Sequence, residues 1–241
     1  MKETSNSLYA WLNELMRAHA LFAWGAADVR EFSTPRDETG RQFPVAVSFI
    51  IPVAPSIMVA LRDGPNQAYA DEYKNINDRL NEAGLSIARA IASKWYRAQP
   101  LAASERTDTV NIKGDFPHKT AATRAGLGWI GKHCQLITRK YGSWVRLGTV
   151  FTDMDLECGP PMERNFCGKC SLCVDACPVN ALAGSSWHPG MEREKILDVR
   201  KCDGWKIEHY PQYGGHLCGI CSAVCPYSIK ASGKRGIEKA S

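Results

Sequence analysis

Ten cysteines, eight of them after residue 160, are the residues of this 241-residue chain best suited to chemistry. The stretch CGKCSLCVDACP places Cys167, Cys170, Cys173 and Cys177 at C-x2-C-x2-C-x3-C spacing, followed by Pro178. A later stretch, LCGICSAVCP, repeats C-x2-C-x3-C-P with Cys218, Cys221, Cys225 and Pro226. Three cysteines on one tight loop can reach three iron corners of a cubane, and the fourth corner needs a thiolate from elsewhere. Two C-x2-C pairs can also build tetrahedral zinc sites. The complete run with its trailing proline, present once in full and once in part, favours two 4Fe–4S clusters.

Where two such clusters share a chain, the final cysteine of each run ligates the other cluster. On that rule one cluster takes Cys167, Cys170, Cys173 and Cys225. The other takes Cys177, Cys218, Cys221 and a ligand drawn from upstream, Cys202. Crossed ligation ties the module into one piece, so loss of a ligand disturbs folding as well as redox chemistry. Cys134 reads as a core residue, and nothing in sequence around Cys158 argues for an activated thiol. The six histidines form no two-histidine metal pattern. His209, in CDGWKIEHY between two cluster ligands, is the one best placed to face a redox centre.

Composition bounds the setting. The length suits one large domain or two unequal ones. No run approaches about 18 uninterrupted apolar residues, and the amphipathic start lacks the layout of a signal peptide, so no membrane span and a cytoplasmic location are expected. In a reducing compartment clustered cysteines signal metal or redox chemistry rather than disulfides. The formal charge is +5. Two oxidised clusters, at about −2 each with their ligands, bring it to about +1, so bulk charge does not argue for nucleic-acid binding. The basic concentration near the C-terminus, with Lys230, Lys234, Arg235 and Lys239, reads as a solvated tail.

Elements must position these residues. Leu8, Leu12 and Leu15, with Trp11 beside them, recur at helical spacing and predict a first helix over about 6–20. The proline-bounded run RQFPVAVSFIIPVA predicts a buried strand within 41–54. Tyr73, Ile76, Leu80, Ala83, Ile87 and Ile91 mark one face of a long helix within 71–97. In GDFPHKTAATRAG, Asp115 can cap a short helix that Gly126 closes. CQLITRKYGSWVRLGTVFTD alternates on both sides of KYGS and predicts two antiparallel strands, about 134–140 and 144–152.

Between that helix and those strands, RAGLGWIGKH spells G-x-G-x-x-G with Gly126, Gly128 and Gly131. The order helix, glycine loop, strand is the reverse of the dinucleotide-binding arrangement, which excludes that reading. Two readings remain: backbone brought close to a large flat ligand, or tight packing of helix on strand. Lys132 and Arg146 can meet an anionic group or stand solvated.

RAGLGWIGKH, LITRKYGSWVRLGTVFTD, CGKCSLCVDACP, WKIEH and CGICSAVCP, in this order, resemble the epoxyqueuosine reductases, cobalamin-dependent iron–sulfur enzymes of tRNA modification related to reductive dehalogenases. The resemblance is strong over about 105–228 and weak before that. It implies an α+β fold, with an N-terminal α/β sandwich-like cobalamin-binding domain (1–155), a two-cluster bacterial ferredoxin-like domain (156–230) and a basic tail (231–241). It also implies a corrin near one cluster, with Gly126, Gly128, Trp129, Gly131, Lys132, Leu136, Leu147, Glu208 and His209 as candidate pocket residues. Electrons would pass from an external donor of flavodoxin or ferredoxin type, through both clusters, to cobalt. The family's proton-donating aspartate stands about where this sequence has Asn111, with Asp115 four residues later as the candidate substitute. The helical-repeat extension that helps the tRNA enzymes hold RNA is not matched within the sequence. The expectation is an iron–sulfur and cobalamin oxidoreductase acting on an unidentified substrate. A corrin-free electron carrier and a tRNA epoxyqueuosine reductase stand as alternatives.

Overall fold

The structure is a computed structural model that describes residues 4–233; Lys234, Arg235 and Lys239 of the basic tail lie outside the described residues. In chain order the elements are α1 (Ser5–Ala18), β1 (Ala23–Asp28), β2 (Val45–Pro52), α2 (Pro55–Val59), α3 (Gln67–Ala92), β3 (Ala98–Leu101), α4 (His118–Arg124), β4 (Trp129–Ile130), β5 (Leu136–Ile137) and β6 (Val145–Thr152). The remainder carries only short helices besides α6: α5 (Leu172–Asp175), α6 (Val199–His209), α7 (Ile220–Ala223) and α8 (Pro226–Ala231). The chain divides into two compact units. Among the described residues one comprises 4–51, 75–127 and 146–162; the other comprises 52–74, 128–145 and 163–233.

The first unit is built on a four-stranded sheet of order β1-β2-β6-β3. β1 runs antiparallel to β2 with Ala26 opposite Val47, and β3 antiparallel to β6 with Gln99 opposite Phe151. β2 is buried at every position from Val45 to Ile51, which is why its sequence reads as a continuous apolar run rather than an alternating one. On this sheet Phe43, Phe116 and Phe151 pack with Ala27, Val29, Ala46, Ala121 and Ala125. α3 buries Ile76, Leu80, Ala83, Ile87 and Ile91, the face marked by helical spacing. In α1 the buried stripe is Leu8, Leu12 and Met16; Met16 takes the place expected for Leu15.

Two local expectations are corrected. Asp115 does not cap α4, whose N-cap is Pro117; the carboxylate instead accepts the Thr107 hydroxyl at 2.6 Å. The segments 134–140 and 144–152 are not paired with each other. β5 pairs with β4, Trp129 opposite Ile137, whereas β6 joins the large sheet, where Val150 and Phe151 are fully buried. Burying that apolar stretch outweighs the short hairpin, and a tight turn closed by reciprocal Thr138–Gly142 backbone bonds of 2.8 and 3.0 Å separates the two strands.

The glycines of RAGLGWIGKH serve packing. Gly126, at φ +73°, ends α4: its N–H donates to the Thr123 carbonyl and the Leu127 N–H reaches back to that of Ala122. This double bond pattern with a left-handed residue satisfies the last helical carbonyls. At Gly128 a Cβ would lie 2.2 Å from the Ile137 carbonyl oxygen, so β4 and β5 can approach only without a side chain there.

His118 opens α4 with its Nδ1 2.8 Å from the Thr149 hydroxyl and its Nε2 3.2 Å from the Ala102 carbonyl. A carbonyl only accepts, so Nε2 carries the proton and Nδ1 accepts from Thr149, which defines a neutral ring. Burial pushes its pKa down to about 4, assisted by the Arg146 charge and opposed by the Ala102 carbonyl.

Two outcomes follow from these packing facts. Gly128→Ala should cost about 1–3 kcal/mol through the forced β4–β5 separation, read as a lowered thermal midpoint. The unfolded imidazole takes up a proton near pH 6.5 and the folded one only near 4. His118 therefore withdraws stability as pH falls through that window. The gap in thermal midpoint between wild type and His118→Gln should narrow from pH 7.5 to pH 5.

Candidate functional site

The eight clustered cysteines all belong to the second unit. Each run is wound into short helical turns, α5 after Cys170 and α7 just after Cys218, which bring cysteines three positions apart to one side of a loop. Cys167, Cys170, Cys173 and Cys225 line one cavity together with Lys132, His133, Ile137, Pro226 and Tyr227. Three of those cysteines come from the first run and the fourth from the end of the second. Burial pushes the Cys173 thiol up to about 12, and the neighbours that add to this are Cys225, Cys167 and Cys170. The other four form a second neighbourhood. Cys202 is raised by burial and by Cys218 and Cys177, while Lys206 works against this. Cys221 is raised by burial and by Cys218, Cys202, Cys173 and Cys177.

A cavity ringed by four cysteines is the arrangement for an inorganic core that places its own corners between them.

Side chains around the first group hold its loops. The Lys132 ammonium donates to the carbonyls of Gly168 and Cys170 at 2.9 and 3.0 Å, so it clamps the cluster loop. Asn165 donates to the Ile130 carbonyl at 2.8 Å and accepts the Cys167 N–H at 2.8 Å. Trp129 stands edge-on to Phe166 and Tyr227, with centroids 5.0 and 4.9 Å away. The Tyr227 hydroxyl donates to the Phe166 carbonyl at 2.6 Å. Behind Cys225 three buried hydroxyls meet: the Ser143 oxygen lies 2.8 Å from that of Ser222 and 2.9 Å from that of Ser228. The Trp144 indole N–H donates to the Ser222 carbonyl at 2.8 Å.

The second group is bordered by α6. This helix carries Cys202, and one turn further the Lys206 ammonium pairs with Asp203 at 3.0 Å, both side chains largely buried. His209 stacks on Trp205 with centroids 3.3 Å apart, and its Nδ1–H donates to the Trp205 carbonyl at 3.1 Å.

Several of the residues expected around a corrin also carry local structural roles. Trp129 and Leu136 are core residues, 1% and 2% exposed, and the three glycines answer to local packing. Lys132 is committed to two carbonyls. Leu147 on β6 is half-buried and Glu208 is exposed, while His209 keeps part of its surface. Asn111 is bonded to the Asp108 carboxylate through its amide N–H at 2.8 Å and its side-chain N–H at 2.7 Å. Arg146 binds Asn77 at 2.9 Å rather than standing solvated. Cys134 is buried at φ +62°, inside the turn after Gly131. Burial pushes the Cys158 thiol up, with Asp28 adding and Arg30 opposing, the reverse of activation.

Sequence reasoning passed over Ser143, Ser222, Ser228, Asp203 and Lys206. Their only trace is positional. Ser228 stands three residues after Cys225, the offset between a helix N-cap and the first amides it can meet. Lys206 stands four after Cys202, hence on the same helical face.

The 4Fe–4S double cluster binding domain family matches residues 166–228. Epoxyqueuosine reductase of Synechococcus sp. is 37% identical over 94% of this chain and 67% of its own length. That of Gloeobacter violaceus is 32% identical over 88% of this chain and 66% of its own, and that of Vibrio cholerae 28% over 95% and 61%. This chain thus spans about two thirds of these relatives or less. An epoxyqueuosine reductase crystallised with an epoxyqueuosine-modified tRNA stem loop shares the fold at TM-score 0.62 and 19% identity, over 93% of this chain and 66% of that one. A reductive dehalogenase whose structure suggests a mechanism for B12-dependent dehalogenation shares it at 0.66 and 18%, over 90% and 32%. Among the described residues no helix is long and apolar enough to cross a membrane. A mixed α and β chain with a matched 4Fe–4S double cluster binding domain, it belongs to the epoxyqueuosine reductase family.

Proposed function

We propose that this iron–sulfur oxidoreductase removes the epoxide oxygen of epoxyqueuosine in tRNA, using electrons carried by two 4Fe–4S clusters to a bound cobalamin. The observation that carries the reading is the cavity lined by Cys167, Cys170 and Cys173 of the first run together with Cys225 of the second. Cys167, Cys170, Cys173 and Cys225 would hold one cluster, and Cys177, Cys202, Cys218 and Cys221 the other. Family membership supports the substrate class, and the fold shared with a B12-dependent dehalogenase supports the corrin.

Loss of an epoxide oxygen as water consumes two electrons and two protons. Each cluster carries one electron at a time, so the pair can hold the two electrons a turnover needs. Cobalamin, when bound, supplies a low-valent cobalt centre able to act as reductant or nucleophile. The chain's own residues supply the rest. Lys132, Asn165 and the Trp129–Phe166–Tyr227 cluster hold the first cluster loop, in which Cys173 is buried while Cys167 and Cys170 are half-buried. Leu147, Glu208 and His209 are the members of the expected corrin set with surface to offer. Asp115, with an exposed carboxyl fixed by Thr107, is the candidate proton donor in place of the residue at Asn111. The electron donor would be a flavodoxin or ferredoxin.

A second reading, electron transfer to a partner without a corrin, is favoured by the burial of Trp129 and Leu136 and by the commitment of Lys132. Cobalt separates the two. Protein purified without oxygen and incubated with cobalamin should carry about eight irons per chain, show brown absorbance that dithionite bleaches, and keep cobalt through gel filtration. Iron without cobalt would leave the carrier, and zinc in place of iron would end both readings. Cys225→Ser should lower the iron toward about four per chain. Epoxyqueuosine-containing tRNA should bind with an affinity that falls as salt rises and should be turned over with dithionite as reductant. Absence of binding at low salt would remove tRNA from the proposal.

A further inference from the structure

Where the loop of the first cysteine group reaches solvent, cations border it. Segments 128–145 and 163–172 carry Lys132, Arg139, Lys140, Arg164 and Lys169 against a single carboxylate, that of Glu163. Arg139, Lys140, Arg164 and Lys169 are all exposed. The Arg139 and Arg164 guanidinium groups lie over the Phe166 ring, 5.0 and 5.2 Å from its centre, so two segments distant in sequence bring their charge to the residue beside Cys167. Lys140 rests over Tyr141 at 5.2 Å. A ring attracts a cation without neutralising it, so the positive charge of this patch stays turned to solvent.

The patch surrounds a redox loop rather than a random stretch of surface. Gly168 and Lys169, between Cys167 and Cys170, are exposed, and those two cysteines are half-buried. Leu172 at the start of α5 is 47% exposed and supplies an apolar spot beside the cations, the composition of a protein interface with a charged rim. The helix bordering the second group is mixed in charge: Lys201 faces Asp198 at 4.0 Å, Lys206 pairs with Asp203, and Glu208 is exposed. RNA would also be drawn to cations, but unpaired bases are held by stacking on open ring faces. Phe166 and Tyr141 carry cations over their rings, and Phe166 also meets Trp129. An acidic protein fits this surface better than a nucleic acid does.

We propose that Arg139, Lys140, Arg164 and Lys169, with Leu172 at their side, form the docking surface for an acidic electron donor of flavodoxin type, and that electrons enter through the cluster held by Cys167, Cys170, Cys173 and Cys225. In each encounter the reduced donor loses one electron and one oxidised cluster gains it; no bond is made or broken and no proton moves. Opposite charge steers the encounter and aligns the donor over the loop. The inference rests on the two-cluster reading above, which iron content and bleaching by dithionite test separately.

The experiment mixes reduced bacterial flavodoxin with the iron-loaded protein in an anaerobic stopped-flow instrument and follows cluster bleaching at increasing salt. The wild-type rate constant should fall as salt rises. The fourfold variant Arg139→Gln, Lys140→Gln, Arg164→Gln, Lys169→Gln should be slower by about tenfold or more at low salt. It should also show a flattened salt dependence and meet wild type near about 1 M salt. Arg139→Lys with Arg164→Lys, which keeps the charge, should hold the wild-type rate, as should Arg200→Gln with Lys201→Gln on α6. Iron content and the extent of bleaching by dithionite should be equal in all of them. If the fourfold variant loses iron, Lys140→Gln with Lys169→Gln, which spares Phe166, should still show a several-fold loss. Wild type that dithionite bleaches but flavodoxin does not, a rate indifferent to salt, or a loss confined to the α6 variant would overturn the proposal. An unchanged flavodoxin rate in the fourfold variant, with weakened binding of unmodified tRNA, would give the patch to RNA and overturn it too. Wild type that carries no iron would instead defeat the two-cluster reading.

Discussion

Burial pushes up the thiols of Cys173, Cys202, Cys218, Cys221 and Cys225, so a cation centre must compensate them as thiolates. Burial alone disfavours the charged sulfur, and each neighbouring sulfur disfavours it further. That is why Cys173 is pushed to about 12 and Cys221 is raised as well. Iron reverses the balance, since binding to a metal draws the proton off the thiol and couples ligand charge to folding. The surrounding structure follows from this constraint. Loops that would otherwise spring apart by repulsion are held by groups that bind the backbone, such as Lys132 on Gly168 and Cys170, and Asn165 on Cys167 and Ile130.

The glycine segment shows how one short motif can serve that module through backbone geometry. Gly126 ends α4 in a left-handed conformation, and Gly128 lets β4 lie against the Ile137 carbonyl. The next residues, Trp129 and Lys132, then enter the cluster surroundings from fixed backbone. Trp129 fills the space between Phe166 and Tyr227, which flank Cys167 and Cys225. The same logic operates at Gly142, at φ +61°, where a Cβ would lie 2.3 Å from the Ser228 Cα. Only glycine there lets the Ser143 hydroxyl reach Ser222 and Ser228.

The family relation and the geometry bear on different questions. Relatedness across most of the chain assigns the family, and the matched domain assigns the type of redox centre.

By itself the sequence determined whatever depends on spacing along the chain. The cysteine runs announced the double-cluster domain, because a cubane dictates how far apart thiolates on one loop can be. The buried faces of α1, α3 and β2 were legible because helical and strand periods are local properties, with Met16 replacing Leu15 as the small error such counting allows. Tertiary structure alone decided what depends on competition between distant partners. β6 left its expected hairpin because the large sheet buries Val150 and Phe151 better than β5 could. Lys132 became a clamp because two loop carbonyls lay within reach, and Trp129 became core because two aromatic rings closed over it. Three serines came together from positions 143, 222 and 228, a meeting that carries no period and leaves no pattern in the chain. Such contacts are set by the folded packing of separate segments, and no spacing rule encodes them.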